Sequence, residues 1–318
     1  METNMSTHFR GNQKDTIAVL MGGRSSEREI SLKSGKAVAE ALRSKGWTVA
    51  ELDLNEQLPA KLVSQNICAA WIALHGQYGE DGAVQGLLEI LNIPYTGSGV
   101  QSCAISMDKI TTKQALEGSG VRLAKDQILL RSSFDAKSEI VEHLSLPIVI
   151  KDPIGGSSIG VWICRNTEEL RNALSEGFSS PVVDRLLLEE LLEGKELTVA
   201  VLDGRPLPVV EIRPKSGFFD LSAKYTEGKT DYIVPAEISA EHALDAQQQA
   251  QTAFKQLQMR GIARADFILT SRGPVFLEIN SSPGMTATSL SPMAAGAVGI
   301  SFPDLVEQIL LGASLKMG

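Results

Sequence analysis

The stretch "ARADFILTSRGPVFLEINSSPGMT", residues 263–286, contains two apolar, strand-like runs joined by Ser-Arg-Gly. Three-residue hairpin loops with glycine in the left-handed conformation are common, so the stretch predicts an antiparallel hairpin with its loop at 271–273. With that loop, Asp266 lies directly opposite Glu278. Two carboxylates facing each other across a ladder repel, so we expect a cation beside them.

The same register places Arg264 opposite Asn280, on the face that carries the two carboxylates. The other face is apolar and is expected to point into the core; it consists of Phe267, Leu269, Leu277 and Ile279. Mg²⁺ takes oxygen ligands from carboxylates and carboxamides, which makes Asp266, Glu278 and Asn280 candidate ligands. A solvated strand face with Arg264 paired to Asp266 is the alternative, and a loop of another length would change the register.

The bulk composition is that of an ordinary globular protein. The chain has 318 residues, of which 43% are hydrophobic and 21% charged, and this length suits two or three domains. Its net charge of -8 argues against nucleic-acid and anionic-membrane partners. The three cysteines, Cys68, Cys103 and Cys164, are far apart, so we expect no disulfide framework, no cysteine-rich zinc site and a cytoplasmic location. Residues 1–15 are polar and lack the apolar core of a secretory signal, so we expect a flexible leader.

The patterns along the chain predict three domains. Residues 16–105 alternate between strand and helix, which predicts a Rossmann-like α/β domain with a parallel sheet. Residues 106–195 and 196–318 combine short strands with helices, which predicts two α+β domains. The segment 214–235 has little periodicity and predicts a long loop, of the kind that often closes over an active site.

One glycine-rich turn is a candidate phosphate site. The chain lacks both G-x-x-x-x-G-K-[ST] and G-x-G-x-x-G, but "VIKDPIGGSSIGVWIC", residues 149–164, places a Gly-Gly-Ser-Ser turn after Lys151. Backbone N–H groups in such a turn can hold phosphate oxygens, with Lys151 and Lys109 as cations. Most glycine–serine loops only turn the chain, so the turn alone does not identify the site.

Motifs spread along the whole chain resemble one family. They are, in order, "GGRSSEREISL", "LHGQYGEDGAVQGLLE", "IPYTGSG", "SMDK", "GGSSIGV", "AKY", "RADF" and "EINSSPGMT". In order and spacing they resemble the D-alanine–D-alanine ligases of the ATP-grasp superfamily, over about residues 16–312. The resemblance implies a three-domain ATP-grasp architecture and ATP-dependent ligation of two D-alanines through an acyl phosphate, for peptidoglycan precursor synthesis. It also implies ATP and two Mg²⁺ (or Mn²⁺) ions as cofactors, and a homodimer through the first domain.

The resemblance also implies which residues hold ATP and metal. The phosphate contacts are Lys109, Lys151 and Lys224. The adenine and ribose contacts are Glu189, the backbone of Leu192, and Glu196. The ligands of the two metal ions are Asp266, Glu278 and Asn280, with Glu278 as the bridge between the ions.

For the substrates, the resemblance implies that Arg264 and the N–H of Gly284 stabilise the oxyanion. Glu27 binds the first ammonium group and forms a hydrogen-bonded trio with Ser157 and Tyr225. The second carboxylate is held by Ser289 and the backbone of Leu290, and His75 is at most an orienting residue. By local pattern alone, Glu27 is an acid complementing a helix dipole and Ser289 is a helix N-cap.

The chain departs from the family at the phosphate turn. The usual "K-P-x-R-E-G-S-S" is here "K-D-P-I-G-G-S-S", so Ile154 and Gly155 replace an arginine and a glutamate and we expect different loop contacts. Glu190 stands where some members carry lysine. The alternatives are a ligase with D-serine or D-lactate as second substrate, a non-catalytic nucleotide-binding protein with an ATP-grasp fold, and a small-molecule kinase. Tyr225 argues against the D-lactate type.

Overall fold

In a computed structural model of the chain, the described residues are 9, 11–134, 141, 143–156, 159–214 and 230–317. Their strands form three sheets. Within these ranges, no helix has both the length and the apolar character needed to cross a bilayer.

The first sheet is parallel. Strand β1 (Thr16–Met21) lies between β2 (Thr48–Asp53) and β3 (Ala69–Ile72). The apolar residues Ile17 to Leu20 of β1 are fully buried, as expected for a parallel strand covered on both faces. The helices of this part are α1 (Arg28–Ser44), α2 (Leu58–Ser64) and α3 (Ala83–Ile90). The prediction of an α/β domain with a Rossmann-like parallel sheet is confirmed.

The second sheet is antiparallel, with strand order β4-β7-β5-β6. Two helices lead into it, and Asp108 between them caps the second by accepting a hydrogen bond from the N–H of Thr111 at 3.0 Å. The elements of this part are α4 (Val100–Met107), α5 (Lys109–Leu116), β4 (Asp126–Leu130), a 3₁₀ turn (Arg131–Ser133), β5 (Ile148–Lys151), β6 (Val161–Cys164), α6 (Thr167–Gly177) and β7 (Arg185–Glu190).

The third sheet is also antiparallel, with order β11-β10-β8-β12-β13 and β9 beside β8. Its elements are β8 (Lys195–Leu202), β9 (Arg205–Pro206), β10 (Val210–Pro214), β11 (Thr230–Ile233), α7 (Ala240–Gln256), β12 (Ile262–Thr270), β13 (Gly273–Asn280), α8 (Leu290–Gly296) and α9 (Phe302–Leu311). Helix α7 buries Ala250 and Phe254 in the core of this sheet. Helix α9 returns to the first domain, where Leu305 and Val306 share a core with α1.

The predicted hairpin exists, but the predicted loop length is wrong. The turn has two residues, Ser271 and Arg272, and Thr270 pairs with Gly273. The register then shifts by one residue, because Leu277 is an extra, unpaired residue in β13. The bulge compensates for the shorter turn, so the predicted pairing of Asp266 with Glu278 is confirmed.

The bulge also changes which side chains face the core. Phe276, and not Leu277, lies opposite Phe267, and the two rings meet edge to face with their centroids 5.7 Å apart. Leu277 is only partly buried. The prediction of Leu277 as a core residue is therefore wrong, because one extra residue reverses the alternation of a strand.

The predicted long loop at 214–235 is shorter than expected at both ends. Pro214 belongs to β10 and Thr230–Ile233 forms β11, paired with β10. Residues 215–229 lie outside the described residues.

Near the start of the chain, the N–H of Phe9 donates to the carbonyl of Ala313 at 2.9 Å, which attaches this point to the end of the last helix.

Candidate active site

A cavity of about 1580 Å³ is lined by residues from all three sheets and their loops. The predicted site residues that line it are Glu27, Lys109, Glu196, Arg264, Asp266, Glu278, Asn280, Gly284, Ser289 and Leu290. Three predicted ATP contacts are not among its lining residues: Lys151, Glu189 and Leu192. Another three predicted residues lie outside the described part of the chain: Ser157, Lys224 and Tyr225.

Asp266 is held by several donors at once. Arg264 donates to it twice, from Nε to Oδ1 and from Nη2 to Oδ2, both at 2.9 Å. The hydroxyl of Thr198, on the neighbouring strand β8, donates to Oδ1 at 2.5 Å, and Asn280 Nδ2 donates to Oδ2 at 3.1 Å. Burial lowers the pKa of Arg264, but the charges of Asp266 and then Glu278 outweigh it and raise that pKa overall. The pairing of Arg264 with Asp266 is thus present, but inside a cavity and not on a solvated face.

The second carboxylate of the hairpin also has a protein cation. Lys109 Nζ lies 3.1 Å from Glu278 Oε2 and donates to the carbonyl of Gly155 at 2.7 Å. Lys109 therefore connects the carboxylate face of the third sheet to the glycine-rich turn of the second. The repulsion expected between Asp266 and Glu278 is offset by Arg264 and Lys109.

The donor set at this face suits only hard cations. Among the described residues, no group of three or more His, Cys, Asp or Glu side chains is close enough to hold a metal ion. What the face offers is two carboxylates and the carboxamide of Asn280, which are ligands for Mg²⁺ or Mn²⁺ and not for thiolate- or imidazole-binding metals.

The glycine-rich turn is tight where its sequence departs from the motif of the family that the chain resembles. Asp152 Oδ1 accepts the N–H of Ile154 at 2.9 Å, which closes a local turn. A Cβ on Gly155 would lie 2.6 Å from the carbonyl oxygen of Ile159, so a glutamate there does not fit this loop. Ile154, in contrast, is exposed.

On the predicted adenine side, Glu189 is almost completely buried between two lysines. Its Oε2 lies 2.5 Å from Lys151 Nζ and its Oε1 lies 2.5 Å from Lys113 Nζ. Burial alone would raise the pKa of Glu189, but Lys151 and Lys113 lower it overall. Lys113 was not predicted as a site residue. Its position one helical turn after Lys109 is the only feature of the sequence that suggests a place near the site.

Glu27 lies just before α1, at the cavity wall. Its N–H donates to Ser25 Oγ at 3.2 Å, and that hydroxyl donates to the carbonyl of His75 at 2.7 Å. A Cβ added to Gly156 would lie 3.5 Å from Glu27 Oε2, so the carboxylate is next to the glycine-rich turn. Glu27 therefore lies where the first domain meets the glycine-rich turn of the second sheet.

The turn after β13 leaves the N–H of Gly284 available. Ser282 N–H donates to Glu80 at 3.2 Å, Met285 N–H donates to Ser34 Oγ at 3.3 Å, and Pro283 has no N–H. Within the described residues, no hydrogen bond uses the N–H of Gly284, which lines the cavity. This N–H is therefore available to an oxygen in the cavity.

Ser289 does not cap a helix with its side chain. It occupies the N-cap position of α8, but its hydroxyl accepts the N–H of Thr286 at 3.0 Å. Together with Leu290 it lines the cavity. The prediction of a helix N-cap is thus right for the position of Ser289 but wrong for its side chain, which makes no capping hydrogen bond.

Two titratable groups lie beside Glu27: His75, which is buried, and Glu80, which is partly buried. Burial lowers the pKa of His75, whose Nε2 is 3.2 Å from Ser34 Oγ, so a neutral imidazole is favoured at pH 7. Burial raises the pKa of Glu80 to about 8, and the charge of Glu27 adds to that effect. Glu80 was not predicted from the sequence, because nothing in the periodicity of "HGQYGEDG" distinguishes it from Asp81.

Comparisons with known proteins give one consistent result. The chain matches the family model "D-ala D-ala ligase C-terminus" over residues 116–311 and "D-ala D-ala ligase N-terminus" over residues 51–98. It is 44% identical over 305 residues to the D-alanine–D-alanine ligase of Syntrophotalea carbinolica, covering 96% of this chain and 98% of that one. It is 45% identical over 307 residues to the D-alanine–D-alanine ligase of Carboxydothermus hydrogenoformans, covering 93% and 97%.

Solved structures show the same likeness. The D-alanine–D-alanine ligase of Bacillus anthracis complexed with ATP superposes with a TM-score of 0.81 at 32% identity, over 94% of this chain and 97% of that one. The VanG D-Ala:D-Ser ligase of Enterococcus faecalis superposes with a TM-score of 0.79 at 28% identity, over 93% and 98%.

Proposed function

The chain belongs to the D-alanine–D-alanine ligase family, and on that premise we propose that its cavity joins two D-alanines to D-alanyl-D-alanine at the expense of ATP. The fold is the three-domain ATP-grasp fold and the protein is an ATP-dependent ligase. The observation that carries the proposal is the position of Asp266, Glu278, Arg264 and the available N–H of Gly284 around one cavity.

The proposed reaction has two steps. A carboxylate oxygen of the first D-alanine attacks the γ-phosphorus of ATP, so that an acyl phosphate forms and ADP leaves. The amine of the second D-alanine then attacks the acyl carbon, and inorganic phosphate leaves the tetrahedral intermediate. Both steps move negative charge, so the site needs fixed positive groups and N–H donors where that charge develops.

Lys109, which lines the cavity, would supply positive charge on the ATP side, and the same role of Lys151, which does not line it, remains a prediction. Both lysines are held by carboxylates in this structure. Asp266, Glu278 and Asn280 would hold the Mg²⁺ or Mn²⁺ ions. Such ions neutralise the charge of the transferring phosphoryl group when they are bound. The ribose contact of Glu196 and the adenine contacts of Glu189 and Leu192 remain predictions.

For the substrates, Arg264 and the Gly284 N–H would stabilise the tetrahedral oxyanion. Glu27 would bind the ammonium group of the first D-alanine, and Ser289 with the Leu290 N–H would bind the second carboxylate. The neutral His75 supports Ser34 and through it the turn that contains Gly284. The roles of Ser157, Lys224 and Tyr225 remain predictions outside the described residues.

D-serine as the second substrate is the other candidate, because the fold also resembles a D-Ala:D-Ser ligase. The higher identity to several D-alanine–D-alanine ligases favours D-alanine. We further propose that the product serves peptidoglycan precursor synthesis in the cytoplasm and that the protein is a homodimer, both by family resemblance alone.

An amino-acid panel tests the proposed function. The purified chain is incubated with ATP and Mg²⁺ and with D-alanine, D-serine, D-lactate or L-alanine, alone and in pairs, and products are identified by mass. We expect phosphate release that depends on D-alanine, with D-alanyl-D-alanine as the main product. Equal activity with L-alanine, or phosphate release without a dipeptide, would contradict the proposal. Formation of ADP and a phosphorylated product, without release of phosphate, would indicate a kinase.

A further inference from the structure

One carboxyl group that the proposed mechanism does not use connects the two loops at the substrate end of the cavity. Glu80 Oε2 accepts the N–H of Gly76 at 2.6 Å, within the loop that follows β3. Its Oε1 accepts the N–H of Ser282 at 3.2 Å, in the turn that follows β13 and 202 positions further along the chain. Glu80 is partly buried and lines the cavity.

The first-domain end of this connection is rigid. Gln85 Nε2 donates to the carbonyl of Gly79 at 2.7 Å, next to Glu80. Asp81 accepts the N–H of Tyr78 at 2.7 Å and that of Ala83 at 3.0 Å. The backbone of Glu80 is therefore fixed on both sides by hydrogen bonds within its own loop.

The other end lies directly before the predicted oxyanion donor. Pro283 has no N–H, so Ser282 provides the last backbone donor before Gly284. On the far side of Gly284, Met285 N–H donates to Ser34 Oγ at 3.3 Å. The Gly284 N–H thus lies between two anchors, and both anchors are side chains of the first domain.

We propose that Glu80 is a positioning residue that holds the turn of Ser282 and thereby aims the Gly284 N–H at the tetrahedral oxyanion. The inference rests on the proposed function, because the tetrahedral oxyanion arises in the second step of the proposed ligation. A carboxyl group accepts two N–H donors whether it is ionised or protonated, since each oxygen keeps a lone pair. The connection is therefore present across the neutral pH range.

Glu80→Gln tests the role. A carboxamide has one oxygen, so one of the two N–H groups loses its acceptor and faces an NH₂ group. We expect kcat to fall by about 10- to 100-fold while KM for ATP stays within about twofold, because the lost interaction acts on the transition state and not on ATP. The affinity for a phosphinate dipeptide analogue of the tetrahedral intermediate should fall by the same factor as kcat.

Glu89→Gln is the matched control. Glu89 Oε1 also accepts a distant backbone N–H, that of Lys316 at 2.7 Å, and the hydroxyl of Tyr95 at 2.7 Å, but Glu89 does not line the cavity. Both donors use the same oxygen, which a carboxamide keeps, so we expect this variant to keep kcat and to lose little thermal stability. Glu80→Asp is the second variant, because its shorter carboxylate cannot reach both N–H groups; it should show the same selective loss of kcat.

A wild-type kcat in folded Glu80→Gln or Glu80→Asp would overturn the inference, as would a rise of KM for ATP equal to the fall of kcat. Unchanged affinity for the phosphinate analogue would overturn it too. The two proposals fail differently: a wild-type chain that makes no dipeptide contradicts the proposed function, whereas wild-type-like variants contradict only the role of Glu80.

Discussion

Lys151 Nζ lies 2.5 Å from Glu189 Oε2, so the residue predicted for the ATP phosphates and the residue predicted for adenine form one buried ion pair. Lys113 holds the other oxygen of the same carboxylate. Cross-strand pairing explains the contact, because Val149 of β5 lies opposite Glu189 of β7 and Lys151 is two residues further along β5. Glu189 therefore sets the position of the lysine that is predicted to bind the ATP phosphates.

Glu189→Gln should destabilise the protein by about 3–5 kcal/mol, because two buried lysines lose their shared counterion. It should also weaken ATP binding, since Lys151 loses its orientation. Thermal unfolding with and without ATP measures both effects. The matched control is Glu190→Gln: Glu190 pairs with the more exposed Arg272 at 2.7 Å, and its loss should cost no more than about 1 kcal/mol. Equal effects of the two substitutions would argue against this prediction.

Glu278→Gln should lower Mg²⁺-dependent turnover by about 100-fold or more, because a carboxamide is a weaker metal ligand and cannot bridge two ions. The fold should survive. Phosphate release at increasing Mg²⁺ concentration measures the effect, and Asp245→Asn, which removes a carboxylate 3.1 Å from Arg122 and away from the cavity, is the control. Near-normal turnover of Glu278→Gln would rule out the bridging role.

Gly284→Ala should lower kcat by about 100-fold, because the added Cβ would lie 3.2 Å from Ser289 Oγ and displace either the turn or that hydroxyl. Gly296→Ala is the matched control, since a Cβ there meets no atom within 4 Å. The control should keep full activity and gain up to about 1 kcal/mol of stability. Steady-state kinetics of both variants test this prediction. Similar kcat values would show that the close approach of the Gly284 backbone to the Ser289 hydroxyl is not needed.

Gly155→Glu, which restores the common family residue, should impair this protein. Its Cβ would lie 2.6 Å from the carbonyl oxygen of Ile159, and Lys109 donates to the Gly155 carbonyl that would have to move. We expect KM for ATP to rise at least about tenfold. Ile154→Arg, at the exposed neighbouring position, should be tolerated. An improved KM in Gly155→Glu would mean that the loop adapts freely.

Stability should fall with rising pH because of Glu80. Burial raises the pKa of Glu80 from an ordinary 4.5 to about 8, so the folded chain binds this proton more tightly than the unfolded chain does. The stability from this proton is complete below about 4.5 and is lost as pH rises to about 8. A glutamine at position 80 does not titrate. Between pH 5 and 8.5, the free energy of unfolding of Glu80→Gln should therefore increase relative to that of the wild type, as measured by denaturant unfolding. A constant difference across that range would contradict the raised pKa.

The sequence by itself determined the class of the fold and the part of the site that lies on the hairpin of β12 and β13. The alternation of strands and helices predicts the parallel first sheet, and the hairpin is local, so Asp266 and Glu278 are brought together by neighbouring residues. Even there the agreement depended on two deviations that compensate, a shorter turn and the bulge at Leu277.

The tertiary structure alone decided the contacts between distant parts of the chain. Glu80 reaches Ser282 across 202 positions, and Lys113 meets Glu189 across 76. No periodicity encodes such pairs, because they depend on how sheets and loops pack and not on the local preference of either segment. Burial raises the pKa of Glu80, whereas Lys151 and Lys113 lower that of Glu189, and the sequence neighbourhoods of these carboxylates indicate neither shift.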